Sequence, residues 1–167
     1  MIYLDYAAAT PVDDSVLDTF YQVTKKYYAN PNSSHKLGLD SKKLMDDTTL
    51  EISNLLHVSE EEIIYTSGAS EANNLAIKGA AERYKNRGKH ILISALEHNS
   101  IVASATYLME NGYEVEIIPV THDGYIDITS LKQMLRSDTI LVSITSVDSE
   151  LGIKQPIEAI GLLLKDY

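Results

Sequence analysis

Apolar positions recur along this chain at two spacings, three to four residues apart or in short continuous runs. In residues 13–28, "DDSVLDTFYQVTKKYY", Val16, Phe20, Val23 and Tyr27 share one helical face, and Asp13 or Asp14 stands where an N-cap belongs. "NPNSSH", residues 30–35, is rich in turn formers and breaks the pattern, reading as a linker between helices. Residues 40–58 predict a second helix through Leu44, Ile52 and Leu55. From residue 61 the two spacings alternate. The pattern predicts a strand over 61–67, a helix over 70–88 closing on Gly88 as a C′ glycine, and a strand over 90–95. A helix over 99–112, capped by Asn99 or Ser100, and a strand over 113–120 follow. Then come a short helix over 128–136, a buried strand over 139–147, and a helix to residue 167 with Pro156 at its first position.

Strands separated by helical crossovers predict an α/β fold with a mostly parallel sheet flanked by helices. Ligands of such sheets bind beyond the carboxyl ends of the strands. Segments 66–70, 95–99, 120–124 and 146–152 are therefore where chemistry is expected. The last helix has no strand after it, and an open sheet edge is a pairing liability. On this pattern the sequence looks like the front part of something longer.

Composition narrows the function classes. The 167 residues carry a net charge of −10, which argues against a general nucleic-acid binder or an anionic-membrane binder. There is no cysteine, so disulfides, thiolate-held zinc and a cysteine nucleophile are excluded within these residues. The start, "MIYLDYAAATPVDD", has neither a basic segment nor an apolar run of signal-peptide type. No stretch approaches the roughly 20 apolar residues that span a bilayer. A cytoplasmic location is the expectation. The histidines show no metal-ligand spacing.

Three loops carry candidate chemistry. "TSGAS", residues 66–70, joins a predicted strand to a helix with small residues only. Unpaired N–H groups at a helix start bind phosphate, and Thr66, Ser67 and Ser70 add hydroxyls. The same residues also suit a tight turn with a Ser or Gly N-cap and Glu71 as its reciprocal partner. The glycines of the dinucleotide fingerprint and the lysine of the P-loop are missing. "LEHNS" sets His98 just after a strand, fit for acid–base work or for stacking on a planar ligand, or simply a surface residue before a helix. "SVDSELG" places Asp148, Ser149 and Glu150 after the strongest strand, as ligand contacts or as a solvated loop. A phosphorylated planar cofactor would use all three loops.

Several longer segments, in order, carry a resemblance: "YLDYAAATPVD", "NPNSSH", "EIIYTSGASEANNLAIKG", "GKHILISALEHNSI", "GYEVEIIPVTHDGYID" and "DTILVSITSVDSELGIKQPIEAIG". The chain resembles the N-terminal part of the class V aminotransferase family of pyridoxal 5′-phosphate (PLP) enzymes, specifically its NifS/IscS-like cysteine desulfurases. The resemblance covers essentially the whole chain. It implies an incomplete fold type I large domain over 15–167, preceded by a segment, 1–14, that borders the active site. It implies a homodimer that converts L-cysteine to L-alanine and passes the sulfur, as a persulfide, to an acceptor protein for iron–sulfur cluster or thio-cofactor assembly. Carried over residue by residue, Ala69 and Ser70 hold the PLP phosphate. His98 stacks on the ring and takes part in proton transfer. Ser149 occupies the position that contacts the phenolic oxygen. Thr10 and Asn30 border the substrate pocket.

Two departures qualify the resemblance. The family's Asn-Asn pair is Asp148-Ser149 here, which shortens one side chain and adds a carboxylate. The family's Schiff-base lysine, pyridinium-pairing aspartate, substrate-carboxylate arginine and nucleophilic cysteine have no counterpart among these residues. Lys78 and Lys89 fall on a helix and before a strand. The chain alone is expected to be inactive. Alternatives are a selenocysteine lyase or other class V enzyme, a non-catalytic remnant or interaction module, and a simple phosphate- or nucleotide-binding α/β domain.

Overall fold

The computed structural model describes residues 1–165 and 167, and the chain divides into two units, Met1–Tyr65 and Thr66–Tyr167. In the first unit, helix α1 spans Asp14–Lys26. Asp13 is its N-cap, accepting from the Ser15 N–H at 2.8 Å, and Lys25 and Lys26 lie at the negative end of the helix dipole. The face set by Val16, Phe20, Val23 and Tyr27 exists, but no residue of α1 is buried and Phe20 stays 70% exposed.

Helix α2, Lys36–Leu56, starts earlier than the apolar spacing suggests because His35 caps it, Nδ1 accepting from the Gly38 N–H at 3.2 Å. A side chain at position 38 would bring its Cβ within 2.5 Å of the Ser33 carbonyl oxygen and 2.7 Å of that of Asn30. Glycine thus lets "NPNSSH" fold tightly against the helix start.

The strand expected over 61–67 does not form. A 3₁₀ turn, Glu60–Glu62, closed by reciprocal Ser59–Glu62 capping, occupies its start, and the following residues have no ladder partner among the described residues. Ile64 is 68% exposed. A strand exists only beside a neighbour, and local composition does not supply one.

The second unit contains helix α3 (Ala69–Tyr84), strand β1 (His90–Ser94) and helix α4 (Asn99–Glu110). Strand β2 (Glu114–Ile118), helix α5 (Ile128–Met134), strand β3 (Thr139–Ser143) and helix α6 (Ile157–Leu164) follow. The strands form one sheet in the order β2-β1-β3, and both pairings are parallel. Leu92 stands opposite Glu116 and Val142.

Side chains alternate across the sheet. Ile91 and Ile93 pack with Ile77 and Ala81 of α3 and with Ile101, Ala105 and Leu108 of α4. Leu92 faces the other way, packing with Ile118, Ile126, Leu131 of α5 and Ile160 of α6. The α/β expectation, a parallel sheet flanked by helices, is met. Central β1, covered on both faces, is buried throughout, as its unbroken apolar core requires.

Arg136 ties the amino ends of the strands together. It bonds Glu114 at 2.8 Å and Asp138 at 2.9 Å, and these bonds hold both carboxyls below their ordinary range.

Element ends differ from expectation in informative ways. Strands 113–120 and 139–147 shrink to five residues each because the chain turns into loop hydrogen bonds beyond Ile118 and Ser143. Pro156 is the cap of α6 rather than its first helical residue. Gly112 does end its helix, at φ +83°. Its N–H bonds Met109 O, and the Tyr113 N–H bonds Leu108 O, the paired closure of a Schellman motif. Gly88 is not a helix cap. Helix α3 stops at Tyr84, and a Cβ on Gly88 would lie 2.0 Å from the Asp138 carbonyl oxygen. That glycine permits close backbone approach where the chain enters the sheet.

Candidate functional site

Because all three strands run the same way, their carboxyl ends share one edge of the sheet. "TSGAS" supplies the start of α3 near that edge. Gly68 is the N-cap, in extended conformation, without a side-chain cap. The N–H groups of Ala69, Ser70 and Glu71 have no partner among the described residues, and neither does the Ser70 hydroxyl. The first internal closure is Ala72 N–H to Gly68 O at 3.1 Å. The Glu71 carboxylate turns back to the Ser67 N–H at 2.6 Å and its hydroxyl at 2.7 Å, and these bonds hold Glu71 below the ordinary range. The turn reading of this loop is realised, with Gly68 as N-cap and Glu71 as the residue that closes it. Three donors at the positive end of the helix dipole stay open.

His98 is the N-cap of α4, in place of the expected Asn99 or Ser100. Its Nδ1 accepts from the Ser100 N–H at 3.1 Å and lies 2.9 Å from the Ser100 hydroxyl. A backbone N–H only donates, so Nδ1 bears no proton. The ring is exposed, and Nε2 has no partner among the described residues. The Ser100 hydroxyl in turn accepts from Asn73 Nδ2 at 2.8 Å. Asn73 lies one turn into α3, so this bond sets the starts of α3 and α4 side by side.

Glu97 precedes His98 and behaves differently. It is half-buried, and its carboxylate accepts from the Thr145 N–H at 2.8 Å, joining the loop after β1 to the segment after β3. Burial pushes its carboxyl above the ordinary value. Beyond Thr145 the chain makes a hairpin in which Val147 pairs with Lys154. The Asp148 carboxylate accepts from the Glu150 N–H at 3.1 Å and from the Leu151 N–H. It closes its own turn, with Gly152 at φ +71°. Ser149 sits exposed at the tip.

Ala69, Ser70, His98 and Ser149 thus belong to the second unit. Thr10 and Asn30 belong to the first, Thr10 exposed and Asn30 closing its own turn through Oδ1 to the Asn32 N–H at 2.9 Å. Lys78 lies 4.2 Å from the Tyr107 ring centroid and Lys89 5.6 Å from that of Tyr113. Lys89 precedes β1 while His98 follows it, a separation of about 16 Å along a five-residue strand. A cleft of about 400 Å³ beside β3, lined by Tyr84, Leu141, Val142 and Leu164 among others, includes none of these candidates.

The model of the family described as aminotransferase class-V matches residues 2–167. The chain belongs to that family. It is 38% identical over 164 residues to cysteine desulfurase IscS 1 of Archaeoglobus fulgidus, covering 98% of this chain and 43% of that protein. Among solved structures, a NifS-like protein superposes with a TM-score of 0.94 at 33% identity, over 99% of this chain and 45% of the other. SspA in complex with cysteine gives 0.90 at 33%, over 98% and 47%. The chain therefore spans less than half the length of these relatives.

Three residues that hydrogen-bond within this cluster are not among the site candidates offered by the sequence. Asn73 stands inside the quoted "SEANN", Glu97 inside "LEHNS", and Ser100 two residues after His98. The signal available for Asn73 was its place three residues after Ser70, on the same helical face.

Proposed function

We propose that this chain supplies the phosphate-binding and ring-facing part of a PLP site in a cysteine desulfurase that converts L-cysteine to L-alanine. The observation that carries this reading is the set of unpaired N–H donors of Ala69, Ser70 and Glu71. They share the start of α3 with an open Ser70 hydroxyl, and the Asn73–Ser100 bond ties that helix start to His98. Such a cradle suits a phosphate dianion, and an exposed imidazole beside it suits a planar ring. PLP, when bound, supplies an electron sink for bonds at the amino acid's α-carbon.

The chain's own residues then have separate tasks. Ala69, Ser70 and Glu71 hold phosphate oxygens through N–H donors, and Ser70 adds its hydroxyl. His98 packs its ring face on the cofactor and moves a proton at Nε2. Ser149 donates its hydroxyl to the phenolic oxygen. The Asp148 carboxylate is occupied by its own turn, which reduces its effect on that oxygen. Thr10 and Asn30 are the residues that the family resemblance assigns to the substrate. No cysteine lies among the 167 residues, so the persulfide forms on a residue outside them. Homodimeric assembly, a sulfur-acceptor protein and a cytoplasmic location belong to the same reading, which the family resemblance supports.

The experiment is alanine release from L-cysteine by the complete protein carrying this sequence. His98→Ala is expected to lower turnover by about 10²-fold or more, the usual weight of a positioned acid–base group. Unchanged turnover would remove His98 from the site.

A further inference from the structure

From the chain of hydrogen bonds between α3 and α4, we infer that Asn73 and Ser100 are positioning residues that fix which nitrogen of His98 carries the proton. Asn73 Nδ2 donates to the Ser100 hydroxyl at 2.8 Å. That hydroxyl, with its oxygen occupied as acceptor, turns its own proton to His98 Nδ1 at 2.9 Å. The Ser100 N–H reaches the same nitrogen at 3.1 Å. Two donors converge on Nδ1, so the neutral ring holds its proton on Nε2. Nε2 is left as the ring nitrogen without a partner among the described residues.

Ser100 is itself held. It is buried, and its carbonyl accepts from the Ser104 hydroxyl at 2.8 Å. Asn73 follows Ser70 by three residues, on the same face of α3. The helix start that carries the open donors therefore also sets the tautomer of His98. Ring orientation and cradle are fixed by one polar relay rather than by two independent loops. The sense in which the ring hands over a proton depends on this relay. An Nε2–H ring meets a ligand as a donor, whereas an Nδ1–H ring would meet it as an acceptor.

The inference rests on the proposed PLP site for its purpose, but its test needs no cofactor. Long-range ¹H–¹⁵N correlation on the full 167-residue chain at about pH 8, above the ordinary histidine range, reads the ratio of the two tautomers. His98→Gln assigns the signals. In the wild type the Nε2–H form should dominate. Ser100→Ala removes the hydroxyl donor. Asn73→Asp, nearly isosteric, draws the Ser100 proton away from the ring. Each should raise the Nδ1–H share about fivefold, the weight of one hydrogen bond. Thr106→Ala, on the exposed face of α4, should leave it unchanged.

If Ser100→Ala fails to fold by its amide spectrum, Asn73→Asp decides. A wild-type ratio in the folded variants, or an equal shift in Thr106→Ala, overturns the inference. A shifted ratio, with no PLP bound by the complete protein carrying this sequence, sustains the relay and sinks the cofactor reading. An unchanged ratio in a chain that binds PLP does the reverse.

Discussion

Glu97 and His98 are neighbours in sequence with opposite surroundings. His98 is exposed and spends one ring nitrogen on capping α4, while Glu97 is half-buried and spends its carboxylate on the Thr145 N–H. Burial disfavours the charged carboxylate, so the folded chain releases the Glu97 proton above the ordinary value of 4.5. The stability linked to that proton is complete below pH 4.5 and is lost as pH rises through the raised value. Glu71 and Glu114 have the opposite sign. Their hydrogen-bonded carboxylates favour the folded state above the ordinary value and cease to do so on acidification. Glu97→Gln keeps an acceptor for Thr145 and removes the buried charge. Its unfolding stability in urea should match or exceed the wild type at pH 7, within about 1 kcal/mol, and fall less between pH 5 and pH 7, all as approximate expectations. A loss of ~2 kcal/mol or more at pH 7 would mean that the charge itself holds the loop. At this scale the sequence exposed His98 through its place after a strand. It could not expose the bond of Glu97 to a residue 48 positions away, or of Asn73 to one 27 positions away.

Elements were legible where their signals are local. Asp13 caps α1 and Gly112 closes α4 because capping chemistry is written within a few residues. Gly88 was misread for the opposite reason. Its role is set by Asp138, fifty residues on by numbering (138 − 88), against which the backbone packs. Gly88→Ala should therefore cost about 1–3 kcal/mol, as forced overpacking does. Gly112→Ala should cost about 1–2 kcal/mol through its left-handed backbone. Urea unfolding of the two variants checks both. Wild-type stability for Gly88→Ala would mean that the Asp138 segment yields freely. The strand expected over 61–67 failed because pairing is not local. Its apolar residues carry the right composition, and no strand pairs with them among the described residues.

For the molecule as a whole, the second unit has two buried clusters, one on each face of its sheet, whereas the first leaves Phe20, Tyr21 and Leu55 well exposed. No helix among the described residues is long and apolar enough to cross a membrane. The net charge of −10 repels anions at long range, so a phosphate that binds must be held by local donors. That makes phosphate dependence the sharpest test of the site. Pyridoxamine 5′-phosphate has the ring and the phosphate but no aldehyde, so it forms no adduct with surface lysines. Titration calorimetry of the 167-residue chain with this compound, and with pyridoxamine lacking the phosphate, isolates the cradle. The phosphate ester should bind at least about tenfold tighter, the weight of one charge-assisted hydrogen bond, and Ser70→Ala should remove part of that advantage. Equal affinity for the two compounds, or no binding of either, would contradict the assignment of Ala69, Ser70 and Glu71 as a phosphate cradle.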